Sequence, residues 1–229
     1  MRPGFRWDAA DAYLFDIDGT LLNSRDAVHY FAFQSAVRAE LNIEASIEGV
    51  PVHGNTDVGI LRAVLQRAGL KDDAIDAAMP KIAAHMCAEV QQNHEQLRPE
   101  LCPSILQLLS HLQKQGKLLG AASGNLEPIG WLKLEKAGLR PVFAFGSFSF
   151  PREFRADIFQ HGVDLARQKL GQHASVTAVG DTPSDIQAAR AIGIPVITLA
   201  TGIFSFNDLK AQSPDACLAC ATDLLTLIS

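Results

Sequence analysis

Residues Ala12-Tyr13-Leu14-Phe15 form an unbroken apolar run that ends on the polar segment Asp16-Ile17-Asp18-Gly19-Thr20. A short apolar run closed by turn residues reads as a buried strand. Beyond it the period changes. Val28, Phe31, Ala32, Ser35, Ala36 and Ala39 fall on one face at helical spacing. Ile60, Leu61, Val64, Leu65 and Ala68 repeat the pattern, and Gly69 follows as a helix stop. Ile75, Ala78, Met79, Ile82, Met86 and Val90 mark a third stretch. Pro80 interrupts it, so it is either one kinked helix or two. The stretch from Asn23 to Arg98 is too long to be structureless inside a compact protein. Its pattern predicts a small all-α unit inserted after the first strand.

From Pro99 onward helical and strand patterns alternate. Pro103 suits a first helical turn, Ile105, Leu108, Leu109 and Leu112 form a face, and Gly116 stops it. Lys117 to Ala122 reads as a strand that delivers Ser123-Gly124-Asn125. Pro128 opens a helix that Gly138 ends. Val142 to Phe145 reads as a strand and Asp157 to Leu170 as a helix. Val176 to Val179 is a strand that delivers Gly180-Asp181, Ser184 to Ile192 a helix, and Pro195 to Leu199 the last clear strand. Such alternation predicts an α/β fold, a parallel sheet with helices on both faces.

The candidate chemistry lies where these strands end. Open α/β sheets bind ligands at the carboxyl ends of their strands, and Asp16 and Asp18 stand there. The competing reading makes them turn formers at a strand end. Ser123-Gly124-Asn125 alone is a common turn, and Asp185 alone is a first-turn helix residue favoured by the helix dipole. Their order along the chain changes the reading. From Asp11 to about Thr201 the sequence resembles the haloacid dehalogenase-like hydrolases. The resemblance implies a Rossmann-like catalytic core of residues 1–22 and 99–229, and a helical cap of residues 23–98.

It also implies roles. Asp16 attacks phosphorus and becomes an aspartyl phosphate, as carboxylate nucleophiles do. Asp18 protonates the leaving oxygen and then activates water. Ser123, with nearby backbone N–H groups, holds a phosphoryl oxygen, and Gly124 allows close approach. Many members place a Lys in a Lys-Pro segment, which is missing here. Arg155 in Pro151-Arg152-Glu153-Phe154-Arg155 is the expected substitute and Arg152 the runner-up. Asp181 in Gly180-Asp181-Thr182-Pro183-Ser184-Asp185 binds a divalent cation with Asp16 and the backbone carbonyl of Asp18. Asp185 assists through water or orients a ligand. Mg²⁺ suits a site that offers few carboxylates, because it keeps several waters.

Dehalogenating members lack the second aspartate, so Asp18 favours phosphate-monoester hydrolysis. The best-known mutases carry an Arg-rich cap segment, whereas His53-Gly54-Asn55-Thr56-Asp57 has no arginine. It looks more like the Gly-x-Thr-Asp segment of capped phosphatases. His53, Asn55, Asp57, Gly124 and Asn125 are the candidate substrate contacts, although Thr56 or Asp57 also reads as a helix N-cap. A sugar-phosphate mutase, a haloacid dehalogenase and a non-catalytic phosphate-binding protein remain as alternatives. A small phosphorylated metabolite is the expected substrate.

Bulk properties narrow the partners. The 229-residue chain is 48% hydrophobic and 20% charged, ordinary for a globular protein. A net charge of −5 argues against a nucleic-acid partner. No apolar run approaches a membrane span and no signal peptide is visible, so the expected location is cytoplasmic. Cys217 and Cys220 form a C-x-x-C with no second pair. They are expected to be small buried thiols.

Overall fold

A computed structural model describes residues 1–44 and 46–227. Ala45, Ile228 and Ser229, which the expected cap and core ranges include, lie outside the described residues. β1 (Ala12–Phe15) leads through β2 (Leu22–Ser24) into α1 (Val28–Leu41), α2 (Asp57–Arg67) and α3 (Asp72–Gln92). β3 (Pro99–Leu101) returns the chain. Then α4 (Ile105–Lys114), β4 (Leu118–Leu126), α5 (Glu127–Lys136), β5 (Phe145–Ser149) and α6 (Arg155–Leu170) follow. β6 (Val176–Gly180), α7 (Pro183–Ala191), β7 (Val196–Leu199), α8 (Phe206–Ala211), β8 (Ala216–Leu218) and α9 (Ala221–Thr226) complete the fold.

Six strands form one sheet in the order β5-β4-β1-β6-β7-β8, and every pairing in it is parallel. β1 is buried throughout because its alternate residues feed two cores. Tyr13 and Phe15 pack with Leu108 and Leu112 of α4 on one face. Ala12 and Leu14 pack with Ile158 and Phe159 of α6 on the other. A parallel strand covered on both faces is apolar at every position, which is why this segment is a run and not an alternation.

The helical insert has its own apolar cluster, in which Ala32, Ala36, Ile75, Ile82 and Met86 are fully buried. Leu126, Ile129 and Leu132, at the end of β4 and on α5, belong to the same cluster. The insert is therefore docked on the sheet layer through α5. The chain enters and leaves it through adjacent antiparallel strands, with Leu22 opposite Leu101 and Ser24 opposite Pro99. α3 continues through Pro80 as a single helix.

Several boundaries differ from the sequence expectation. The strand expected over Val142 to Phe145 begins only at Phe145, and Arg140–Val142 form a short 3-10 turn. Pro141 starts that turn, and Phe143 is buried as a loop residue. Its apolar character reflects the core and not a strand. Pro103 precedes α4, which starts at Ile105 after Ser104. Ser123-Gly124-Asn125 lies inside β4, where the register to β5 shifts between Ser123 and Leu126. β8 adds a parallel edge strand after the last one expected; three residues give too little pattern to read. Cys217 and Cys220 are half-buried free thiols, not buried ones. No helix among the described residues is long and apolar enough to cross a membrane.

Candidate active site

The carboxyl ends of β1, β4 and β6 meet under the insert in a cavity of about 390 Å³. Asp16, Asp18, Ser123, Asn125, Arg155 and Asp181 all line it. β1 ends at Phe15, and the Asp16 N–H still donates to the Val179 carbonyl at 2.9 Å, so the carboxylate is aimed by the last ladder bond. Gly19 then turns the chain at φ +89°, a conformation that favours glycine.

Asp16 is buried against a guanidinium. Arg155 Nη2 lies 2.8 Å from Asp16 Oδ1, and Arg155 Nε donates to Asp185 Oδ1 at 2.6 Å. Arg155 is buried at the start of α6, whereas Arg152 is not among the residues lining the cavity. Asp16 Oδ2 accepts no hydrogen bond among the described residues. Burial dominates at Asp16 and pushes its carboxyl up to about 6; Arg155 opposes that, while Asp185 and Asp18 add to it. At Asp181 burial, then Asp16 and Asp185, push the carboxyl up to about 9.

Asp16, Asp181 and Asp185 each offer an oxygen within 4.8 Å of the others. Asp185 is already saturated. Its Oδ2 accepts from Asp181 N, Thr182 N and Thr182 Oγ1 in the capping box of α7, and its Oδ1 from Arg155. That leaves Asp16 and Asp181 as carboxylates with capacity to spare. Asp181 takes one bond, from Thr20 Oγ1 at 3.0 Å. Its carboxylate lies against Gly19 and Gly202, and a Cβ on either glycine would collide with it. Crowded carboxylates with unfilled oxygens and no room for neighbouring side chains fit a divalent cation.

Asp18 is held differently. Lys133 Nζ donates to its two oxygens at 2.9 and 2.8 Å, and Asn125 Nδ2 donates to Oδ2 at 2.7 Å. Burial works to raise the Asp18 carboxyl, but Lys133, Asn125 and His29 outweigh it and hold it below the usual range. Lys133 Nζ also reaches Asn125 Oδ1 at 3.0 Å and His29 Nδ1 at 3.1 Å. Neither Lys133 nor His29 stands out from motif reading. The available signal was a charge inside a buried stretch: Lys133 sits between Leu132 and Leu134 on α5 and is only 3% exposed. A buried ammonium needs partners, so a lysine at such a position marks a site.

Ser123 is buried beside Asn125, whose Nδ2 donates to Ser123 Oγ at 2.8 Å. Asn125 thus spends its amide on Ser123, Asp18 and Lys133. The other expected contacts are also engaged. Asn55 donates to the Pro51 carbonyl and accepts from Thr56 N. Thr56 is the N-cap of α2, accepting from Gly59 N. Asp57 is buried; its Oδ2 accepts from Leu126 N at 2.7 Å and lies 3.1 Å from His29 Nε2. His53 is exposed at the cavity rim. Gly124 abuts the insert, since a Cβ there would collide with the Asn55 carbonyl.

Residues 10–193 match the sequence model of a hydrolase family described as haloacid dehalogenase-like hydrolase. The chain is 27% identical over 225 residues to a phosphoglycolate phosphatase of Synechococcus elongatus, covering 95% of this chain and 97% of that protein. A phosphoglycolate phosphatase of Yersinia pseudotuberculosis is 26% identical, with 97% and 95% covered. A solved structure described as a predicted phosphoglycolate phosphatase from Haemophilus somnus shares the fold at a TM-score of 0.68 and 21% identity, covering 96% of this chain and 98% of that one. CbbY from Rhodobacter sphaeroides, in complex with xylulose-(1,5)bisphosphate, does so at 0.66 and 19%, with 91% and 93% covered.

Proposed function

The chain belongs to the haloacid dehalogenase-like hydrolases, and on that premise we propose that it hydrolyses the phosphate monoester of a small metabolite through a phosphoenzyme on Asp16. The observation that carries this reading is the division of labour between two aspartates at the end of one strand. Asp16 faces Arg155 and keeps one oxygen uncommitted, while Asp18 is gripped by Lys133 and Asn125.

In the proposed sequence Asp16 Oδ2 attacks phosphorus and the bond to the leaving oxygen breaks. Asp18, a carboxylate in this structure, takes up a proton as the substrate dianion binds beside it and gives that proton to the leaving oxygen. Asp18, now a carboxylate, takes a proton from water, the hydroxide attacks phosphorus, and the Asp16–phosphorus bond breaks. Phosphate leaves, and both aspartates are restored. Ser123 accepts both its bonds, from Asn125 N and Nδ2, which leaves its own O–H for a phosphoryl oxygen. Arg155 offsets the charge that gathers on Asp16 and the phosphoryl group. Asp16 and Asp181, with the Asp18 carbonyl, would hold Mg²⁺, which would neutralise charge there and polarise the phosphoryl oxygen. Asp185 positions Arg155 and the Asp181 loop from behind.

Residues 23–98 serve as a cap domain over a core of residues 1–22 and 99–229. The separate apolar cluster and the paired β2–β3 connection support that division. The cap excludes water and supplies the surface that meets the leaving group. The names of the curated relatives make phosphoglycolate one compound to test.

The decisive experiment measures phosphate release from a panel of monoesters in Mg²⁺ or EDTA, with Asp16→Asn alongside. The expected result is Mg²⁺-dependent release that falls at least roughly 1,000-fold in the variant. Release that survives in EDTA, or in Asp16→Asn, would overturn the mechanism.

A further inference from the structure

Part of the cavity wall is apolar. Tyr30, Phe33, Ile47 and Val52 of the insert and Ile203 after β7 line it. Phe33 and Ile47 are buried, while Tyr30 and Ile203 are exposed at the mouth. Lys133 and Arg155 are the permanent cations among the described lining residues, and both face the site aspartates. Lys133 is spent on Asp18, Asn125 and His29, and Arg155 on Asp16 and Asp185.

Several polar side chains of the insert are committed as well, while the Ser24 and Tyr30 hydroxyls have no hydrogen-bond partner among the described residues. Asp57 pins Leu126 N and faces His29, and Asn55 closes its own turn. Asp26 accepts from Val28 N and Arg98 N. His53 is left at the rim with no partner among the described residues.

Resting on the phosphomonoesterase reading, we infer that the leaving group is an uncharged alcohol with an apolar or aromatic body, not one bearing a carboxylate or a second phosphate. An anionic leaving group would meet aliphatic and aromatic surface and neutral hydroxyls, with no cation outside the phosphoryl site to pair with it. Anions are bound where donors or cations converge on them, and burying one without such a partner is unfavourable. An apolar body loses nothing by leaving water there and covers Phe33 and Ile47. The cavity, at about 390 Å³, holds a phosphoryl group and a ring-sized substituent.

The test compares kcat/KM for phenethyl phosphate, glycerol phosphate, phosphoglycolate and fructose bisphosphate in Mg²⁺, with p-nitrophenyl phosphate as a reactive control. All four test compounds leave as alkyl alcohols, so large differences report recognition more than leaving-group chemistry. Phenethyl phosphate is expected to exceed phosphoglycolate and fructose bisphosphate by at least roughly 30-fold, the scale of one unpaired charge at a binding surface. A preference for phosphoglycolate or the bisphosphate, or equal rates, overturns this inference and leaves the phosphatase reading standing. Absence of Mg²⁺-dependent turnover on every compound, the control included, overturns both.

Discussion

Lys133 shows how a single residue acquires its role from partners far along the chain. Its ammonium lies 115 positions from Asp18 and 104 from His29 in sequence, yet touches both. Two oxygens, one amide carbonyl and one ring nitrogen fix the ammonium, and through it the direction of the Asp18 carboxyl. Replacing Lys133 with Met keeps the length and removes the charge. In the proposed mechanism this misplaces the acid that serves the leaving oxygen. Turnover of an alkyl phosphate should fall by roughly 100-fold, the usual scale of acid–base catalysis. Hydrolysis of p-nitrophenyl phosphate, whose leaving group needs little protonation, should fall much less. Equal losses on the two esters would show that Lys133 supports the fold and not the acid. Asp16, Asp18 and Asp181 could be singled out from sequence because they stand at or just beyond the ends of apolar strands, in the order of the family's motifs. Lys133 could not, because helix α5 continues normally around it.

Elements deliver these groups through their ends. β1 and β6 end side by side, Phe15 opposite Val179, so the residues after them share one site with Ser123 and Asn125 near the end of the longer β4, while Thr56 and Thr182 cap the helices that leave it. β4 is the strand on which the insert rests. Gly124 lies against the Asn55 carbonyl and Thr56 Cα, and these are backbone atoms that cannot swing aside. Gly124 is not among the glycines at positive φ, so alanine is acceptable to β4 itself. Gly124→Ala should therefore leave the fold intact and hold the insert off the site. Displacement of about 1 Å is enough to lower kcat/KM by roughly 100-fold. The melting temperature should move by only a few degrees, and calorimetry beside kinetics separates the two effects. A large loss of stability with unchanged specific activity of the folded fraction would contradict it. The three-residue β8 escaped the pattern because only its first residue is buried, and the expected start of β5 falls too early because Phe143 is a buried apolar residue in the preceding loop.

Across the whole molecule the largest electrostatic tension lies in the aspartate cluster. Without a cation, Asp181 sits at about 9 against an ordinary 3.8. The folded protein thus keeps a proton that the unfolded chain releases between those values, and its stability falls as pH rises through that window. A bound divalent cation replaces the proton and reverses the trend. Melting in Mg²⁺ and in EDTA should differ most at the alkaline end, with a wider gap at about pH 8 than at about pH 6. At a hundredfold excess over its Kd the metal adds about 3 kcal/mol, or roughly 6–12 °C for a chain of this size. Identical melting curves at about pH 8 would remove the metal from Asp16 and Asp181.

The sequence by itself determined the alternation of strands and helices, the helical insert and the aspartates at the strand ends. Each follows from local periodicity and from what immediately succeeds an apolar run. Only the tertiary structure decided which cation faces which carboxylate, that Asp185 is filled by its own capping box, and that α5 belongs to both apolar layers. These depend on contacts between residues that are distant in sequence. Their energies arise from burial and charge pairing, and neither quantity is written in the spacing of residues along one segment.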